Sequence, residues 1–184
     1  MPDSPHSSNS HAFSRPFVLR NGTTGVVRVL RPDDRDRIAT AFSKLEPESI
    51  YTRFFSMKKS LSDAELTRIS TPDFVNYLAL VASVGSGSDE TLIGGASYTV
   101  LPAAGGERAA EVAFTIEEDY HGQGLASQLL AMLAEVARQH GISCFVAEVL
   151  AENAAMRSVF DRSGLKPTTT RQDGVIHYRM ALPP

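Results

Sequence analysis

A short glycine turn, Gly122-Gln123-Gly124, lies between an apolar run ending at Ile116 and a helical pattern ending at Gln139. Backbone N–H groups at the start of a helix lack partners within the helix, and the helix dipole places partial positive charge beside them. Glycines let the backbone approach an anion without a Cβ atom in the way. The arrangement predicts an anion site whose natural guest is a diphosphate group.

Two familiar diphosphate motifs do not fit this turn. A dinucleotide fold requires Gly-x-Gly-x-x-Gly within a parallel β-α-β unit, whereas here Gly122-x-Gly124-x-Ala126 follows an antiparallel meander. A P-loop requires Gly-Lys-Ser/Thr, which the turn does not contain. A tight strand-to-helix turn without any ligand stays open as the alternative on the motif alone.

The elements that must position the turn follow from hydrophobic periodicity and turn residues. Helices are predicted after Pro32, from Ser49 to Phe55, from the capping box Ser62–Glu65, over Gly122–Gln139 and over Asn153–Ser163. Strands are predicted over residues 17–20, 26–30, 77–84, 92–100, 110–116, 142–150 and 175–182. This order predicts an α/β (α+β) fold with a mixed, mostly antiparallel central sheet of about six to seven strands flanked by helices.

The bulk composition is that of an ordinary globular domain. The chain has 184 residues, 42% of them hydrophobic, a net charge of -3 and a pI of about 5.9, which disfavours a nucleic-acid binder. No apolar run approaches the roughly 20 residues that span a bilayer, and no signal peptide is seen. We expect a cytoplasmic protein with a disordered tail over residues 1–14 and one domain over 15–184. The single cysteine, Cys144, is expected to be a buried, inert thiol.

Two motifs give the sequence a family resemblance. The segment Tyr120-His121-Gly122-Gln123-Gly124-Leu125-Ala126 resembles the acetyl-CoA signature of GNAT acetyltransferases, Gln/Arg-x-x-Gly-x-Gly/Ala, and residues 153–165 resemble their second motif. Residues 31–34, 49–55 and 111–114 are similar to the bacterial protein lysine acetyltransferases of the Pat type. The resemblance covers about residues 17–182. It implies the GNAT fold and acetyl-CoA as co-substrate, with no metal.

The resemblance also implies where the cofactor is held. In this superfamily the strand over 110–116 splays from its neighbour, its N–H groups meet the pantetheine arm, and Asn153 bonds the pantetheine chain. A plain helix N-cap is the alternative role of Asn153, and Met156 takes the place of the usual small residue. The implied cofactor-binding residues are Phe114, Thr115, Ile116, His121, Gly122, Gln123, Gly124, Leu125, Ala126, Ser127, Asn153 and Met156.

Glu111 is the predicted general base. A free lysine has a pKa of about 10.4, so roughly one in a thousand is neutral at pH 7.4, and a base near the amine therefore helps. A carboxylate on a central strand should be costly unless it is paired or used, and the Pat-type resemblance gives Glu111 the same role. A salt-bridged structural glutamate is the alternative, and Glu148 on the adjacent strand ranks second. His177 and Tyr178 are weaker candidates for lining the acceptor site.

Two departures from the superfamily pattern affect the functional prediction. His121 replaces Gln or Arg, and Phe160 replaces a tyrosine often proposed as general acid, which leaves the acid unassigned. The favoured function is acetyl transfer to a primary amine, foremost a protein lysine. A small-amine or amino-acid N-acetyltransferase and a non-catalytic acyl-CoA-binding sensor stay open, although Glu111 counts against the sensor. The expected partners are acetyl-CoA and the amine acceptor, without nucleic acid or membrane, and a homodimer is left open.

Overall fold

The structure is a computed structural model that describes residues 13–54, 60–103 and 105–184, apart from the side chains of residues 51–54. Its strands are β1 (Ser14–Val18), β2 (Thr24–Val29), β3 (Tyr77–Val84), β4 (Thr91–Val100), β5 (Ala109–Ile116), β6 (Cys144–Leu150), β7 (Thr168–Gln172) and β8 (Val175–Ala181). Its helices are α1 (Arg35–Lys44), α2 (Pro47–Phe54), α3 (Asp63–Ser70), α4 (Leu125–Gln139) and α5 (Ala154–Asp161).

The strands form one mixed sheet in the order β1-β2-β3-β4-β5-β6-β8-β7. Every neighbouring pair is antiparallel except β5 and β6, which run parallel from Ala109↔Cys144 to Glu111↔Val146. The predicted mixed, mostly antiparallel sheet is therefore confirmed. It has eight strands where six to seven were predicted, because the edge strand β7 was missed.

Helices cover the two faces of the sheet. The predicted apolar stripe of α4 is confirmed, since Leu125, Leu129, Leu133 and Val136 are all buried in the larger core cluster. Helices α1 and α3 pack on the opposite face, where Ile38 and other apolar side chains join a second cluster. The two layers fix β5 between them, and β5 is the strand that leads into the glycine turn.

A buried ion cluster attaches the start of α1 to the sheet. The Asp34 carboxylate is fully buried and accepts hydrogen bonds from Nη1 and Nη2 of Arg28 at 2.6 and 2.7 Å. Glu90 Oε1 accepts a hydrogen bond from Arg28 Nη2 at 2.9 Å, and Arg37 Nη1 lies 3.4 Å from Asp34 Oδ1. Asp34 Oδ2 also accepts a hydrogen bond from the Arg31 N–H at 2.9 Å, so this side chain joins the cluster to the turn before α1.

Several predicted boundaries differ from the observed ones. β1 begins at Ser14, the last residue of the predicted tail, while residues 1–12 of that tail lie outside the described residues. The predicted helix over Gly122–Gln139 begins only at Leu125. The capping box is confirmed, because the Ser62 hydroxyl accepts from the Glu65 N–H and the Glu65 carboxylate accepts from the Ser62 N–H. Among the described helices, none is long and apolar enough to cross a membrane.

Candidate active site

A cleft opens where β5 and β6 separate. The two strands pair only from Ala109 to Glu111 of β5, although β5 continues to Ile116. Beyond Glu111, no strand in the described ranges pairs with the edge of β5 that faces β6. Residues 111–114 of β5, residues 147–149 of β6, and Asn153, Met156 and Phe160 line the cleft. The structure thus brings together Glu111, Phe114, Asn153 and Met156, four of the residues predicted for the site.

Glu111 lies at the last paired position before the strands part. Its side chain is on the same face of the sheet as those of its cross-strand partner Thr99 and of Ala113. The residue is exposed, so the expectation that its carboxylate suffers a desolvation cost is wrong. Its backbone is paired on both sides, with Thr99 and Val146, while its side chain projects from a face of the sheet that leaves it open to solvent. The carboxylate is instead accessible to a partner approaching from solvent.

Glu148 and His177 form a pair on adjacent strands of the same face. Glu148 Oε1 lies 3.3 Å from His177 Nδ1, and both side chains are partly exposed. The competing carboxylate therefore already has a partner within the protein. Among the described residues, no comparable side-chain partner is recorded for Glu111.

Tyr178 lies on the opposite face, which corrects its predicted place at the acceptor site. Its side chain is buried, its ring is 5.1 Å from that of Phe160, and its hydroxyl donates to Asp161 Oδ1 at 3.2 Å. Burial and the nearby Asp161 carboxylate raise the pKa of Tyr178. The hydroxyl does not line the cleft, so Tyr178 does not replace the proton donor that Phe160 lacks.

The start of α5 presents Asn153 at the end of the cleft. Its Oδ1 accepts from the Met156 N–H at 3.0 Å, which confirms the helix N-cap role. The side-chain NH2 group is not needed for this cap and stays available as a donor. Met156 is half-buried and lines the cleft directly.

The glycine turn lies at the far end of β5 and forms a second part of the site. Gly122 and Gly124 have φ values of +70° and +88°, which side chains rarely adopt, so glycine is required at both positions. His121 Nε2 donates to the Ile116 carbonyl at 2.9 Å and ties the turn to the end of β5. Within the part of the chain that the structure describes, no backbone acceptor is recorded for the N–H groups of residues 122–127.

These features suit an anion at the turn. A Cβ atom built on Gly122 would meet nothing within 4 Å, and one built on Gly124 would meet only Arg20 Nε at 3.9 Å. The space beside both glycines is therefore open. The Leu125 side chain is buried in the core, so this residue offers only its backbone N–H. Ala126 and Ser127 follow at the positive end of the α4 dipole.

Two predicted residues stand apart from the cleft. Thr115 faces a separate, apolar cavity of about 140 Å³ between the sheet and helices α1 and α3, so only its backbone faces the separation of the strands. Cys144 is buried, and burial raises the pKa of its thiol, in agreement with an inert cysteine. In the described residues, no group of three or more His, Cys, Asp or Glu is arranged to hold a metal ion.

Arg20 is the residue near the turn that sequence reasoning missed. It lies in the loop between β1 and β2, and its Nη1 donates to the Gly122 carbonyl at 2.9 Å. The two residues are 102 positions apart, so no local pattern joins them. The only sequence signal was a basic residue beside the Asn21-Gly22 turn.

The splayed parallel strands and the glycine turn that opens a helix define an acetyltransferase class, and comparisons with known proteins agree. The Acetyltransferase (GNAT) family matches residues 47–165. The acetyltransferase Pat of Mycolicibacterium smegmatis is 31% identical over 172 residues, which cover 92% of this chain and 49% of that protein. Acetyltransferase PA5475 of Pseudomonas aeruginosa is 32% identical over 166 residues, covering 89% and 87%.

A solved structure gives the same result. The GNAT domain of PAT from S. lividans superposes with a TM-score of 0.83 at 35% identity, covering 92% of this chain and 97% of that one. The chain belongs to the GNAT acetyltransferase family, and the predicted similarity to the Pat type is confirmed. It spans about half the length of the M. smegmatis Pat protein.

Proposed function

We propose that this chain transfers an acetyl group from acetyl-CoA to a primary amine, with the side chain of a protein lysine as the favoured acceptor. One observation carries the proposal: a single strand, β5, joins the exposed Glu111 at the cleft to the glycine turn that opens α4. Acetyl-CoA supplies an activated acetyl thioester when bound. The residues of this chain bind and orient it and accept a proton from the amine.

The glycine turn fits the diphosphate of the co-substrate. Six consecutive N–H groups from Gly122 to Ser127 gather where the dipole of α4 is positive, and the glycines leave that surface open. In the proposed arrangement, residues 121–127 hold the diphosphate. The unpaired edge of β5 from Phe114 to Ile116, with Asn153 and Met156, holds the pantetheine arm.

Glu111 serves as the general base in this proposal. The carboxylate faces the cleft and is exposed, so it can accept a proton from an ammonium group directly or through water. A neutral amine is the nucleophile, and at pH 7.4 only about one lysine in a thousand is neutral without help. Direct transfer follows, without a covalent enzyme intermediate, because the buried Cys144 is not at the cleft.

The exposed site admits a macromolecular acceptor. Both Glu111 and Glu148 lie on the same face of the sheet, and each is exposed. A lysine on the surface of a partner protein can reach an exposed carboxylate, and negative charge around the cleft attracts a cationic side chain. The small-amine and amino-acid acceptors remain the second candidates for the same chemistry.

The first test is calorimetric titration with acetyl-CoA. We expect micromolar binding by the wild type and a loss of about 100-fold or more in Gly124→Glu, since bulk and a like charge at the phosphate position cost several kcal/mol. Gly141→Glu is the matched control, because Gly141 also has a positive φ, +73°, with open space around it, beyond the other end of α4. No binding by the folded wild type would exclude the proposed function, and equal affinity in both variants would refute the diphosphate position.

The acceptor is tested separately with labelled acetyl-CoA. Purified proteins, lysine peptides, small amines and amino acids are compared at equal amine concentration, with Glu111→Gln as the blank. Faster labelling of protein lysines would support the proposed acceptor, and labelling of small amines alone would replace it. Tight donor binding without any transfer that depends on Glu111 would identify an acyl-CoA-binding sensor.

A further inference from the structure

Arg20 is placed to add a formal positive charge to the glycine turn. We infer that Arg20 binds a phosphate oxygen of the diphosphate and so selects nucleotide-bearing thioesters over short pantetheine thioesters. The inference rests on the proposed function. It adds a residue from the β1–β2 loop, which lies outside the segment matched by the family.

Three hydrogen bonds fix the β1–β2 loop on the turn. Arg20 Nη1 donates to the Gly122 carbonyl at 2.9 Å, and the Arg20 N–H donates to the Gln123 carbonyl at 3.2 Å. The Asn21 N–H donates to Gln123 Oε1 at 3.1 Å. Gln128 in α4 also donates to the Val18 carbonyl at 3.0 Å, so the loop is held from both ends. The guanidinium position is therefore set by the fold as well as by its own side-chain bond.

The guanidinium retains unused donors beside the open surface of the turn. A guanidinium carries five N–H donors, and the bond to Gly122 uses one. Arg20 is exposed, and no carboxylate in the described residues forms an ion pair with it. Its Nε is the one atom that a Cβ on Gly124 would meet within 4 Å, so the cation borders the space that the glycine leaves open.

The turn itself contains no lysine or arginine that would supply a permanent positive charge. Residues 121–127 contain no Lys or Arg, and the His121 ring is bonded back to the Ile116 carbonyl. Backbone N–H groups and the helix dipole contribute only partial charge, whereas a diphosphate carries full negative charge. A planar guanidinium matches phosphate geometry with two parallel donors, which an ammonium group cannot do. Arg20 thus completes the electrostatics of the site from a distant part of the chain.

The test compares donors with and without the diphosphate. Binding of acetyl-CoA and of S-acetyl-pantetheine is measured by calorimetry for the wild type, Arg20→Gln, Arg20→Lys and the control Arg15→Gln. Arg15 is an exposed arginine on β1 that pairs with Glu135, away from the turn. Melting curves establish that each variant is folded.

We expect Arg20→Gln to weaken acetyl-CoA binding by about 10- to 100-fold, the range of one charge-assisted hydrogen bond. The acetyl-CoA affinity of Arg20→Lys should lie between those of Arg20→Gln and the wild type. The affinity for S-acetyl-pantetheine should not change in either variant. The acetyl-CoA affinity of Arg20→Gln should also depend less on salt, since one ionic contact is gone. A merely structural contact to Gly122 would not alter this salt dependence.

The alternative outcomes separate this inference from the proposed function. Wild-type affinity in Arg20→Gln, or an equal loss for both donors, would overturn the role of Arg20 while the acetyl-CoA site stands. An unchanged salt dependence with weakened binding would also overturn it, because the effect would then come from the shape of the turn. If the folded wild type binds neither donor, the proposed function fails and this inference fails with it.

Discussion

Replacing Asp34 by asparagine tests how the sheet and the helical layer above it are held together. The substitution keeps the side-chain shape and removes the charge. Asp34 is fully buried and accepts two bonds from Arg28, at 2.6 and 2.7 Å, and one from the Arg31 N–H at 2.9 Å. An amide offers one acceptor oxygen where the carboxylate offers two, so the paired bonds from the guanidinium cannot both persist.

The magnitude follows from what remains around Arg28. Removing one partner of a buried ion pair costs about 3–5 kcal/mol, because the other charge is left buried. In the variant, Arg28 still has the Glu90 carboxylate at 2.9 Å as a counter-charge. The cost should therefore lie at the lower end of that range. A loss of about 3 kcal/mol corresponds to a Tm decrease of about 6–12 °C for a domain of this size.

The pH dependence of stability has a definite sign. Burial alone would raise the pKa of Asp34, but hydrogen bonds from Arg28 and the Arg31 N–H hold it below its ordinary value. A carboxyl whose pKa is lowered in the folded state contributes stability above its unfolded pKa, about 3.9, and loses it as the pH falls through the folded pKa. The difference in Tm between the wild type and Asp34→Asn should therefore be largest near pH 7 and should decrease below about pH 4.

Circular-dichroism melting at pH 7 and at acidic pH measures both effects. The matched control is Asp63→Asn, since Asp63 also bonds an arginine, Arg35, at 2.6 Å, but its side chain is 95% exposed. We expect the control to melt close to the wild type because exposed pairs contribute little. Equal melting temperatures for Asp34→Asn and Asp63→Asn would refute the assignment of the buried cluster as a major anchor.

Two further variants address the chemistry. Glu111→Gln should lower turnover by about 100-fold or more, the usual contribution of a general base, while its acetyl-CoA affinity stays nearly unchanged. Glu148→Gln is the control for this variant. Equal turnover for Glu111→Gln and the wild type across pH would exclude Glu111 as the base. Cys144→Ala should retain turnover, and the native thiol should resist alkylation until the protein unfolds, because Cys144 is buried with a raised pKa. Loss of transfer in a folded Cys144→Ala variant would instead favour a covalent route.

Strong periodic patterns made much of the fold predictable, and weak ones did not. The apolar stripe of α4 and the glycines before it are local signals, so the body of the helix and the presence of the turn were predicted correctly. β7 was missed because all five of its residues, Thr168–Gln172, are exposed and show no alternation of apolar and polar side chains. The start of α4 was placed too early because Gly122 and Gly124 have positive φ, a conformation outside the helix, which sequence alone did not reveal.

The site was less predictable where it depends on distant parts of the chain. The cleft beside Glu111 follows from the pairing of β5 with β6 ending there, which requires knowing the register of two strands far apart in sequence. The contact of Arg20 with the turn likewise depends on the β1–β2 loop folding over α4. Tyr178 was misplaced because strand alternation sends it and His177 to opposite faces, and the sequence did not say which face meets the cleft.

The loss of a tyrosine at Phe160 weighs less against catalysis than it first suggests. An alkyl thiol has an ordinary pKa of about 8.5, which is only about one pH unit above pH 7.4. The pKa of a lysine ammonium, about 10.4, is about three pH units above pH 7.4. Proton removal is thus the larger demand, and the exposed Glu111 is placed to meet it. Phe160 packs at 5.8 Å from Phe114 and lines the cleft with apolar surface. An enzyme and a sensor would therefore differ at Glu111 more than at residue 160.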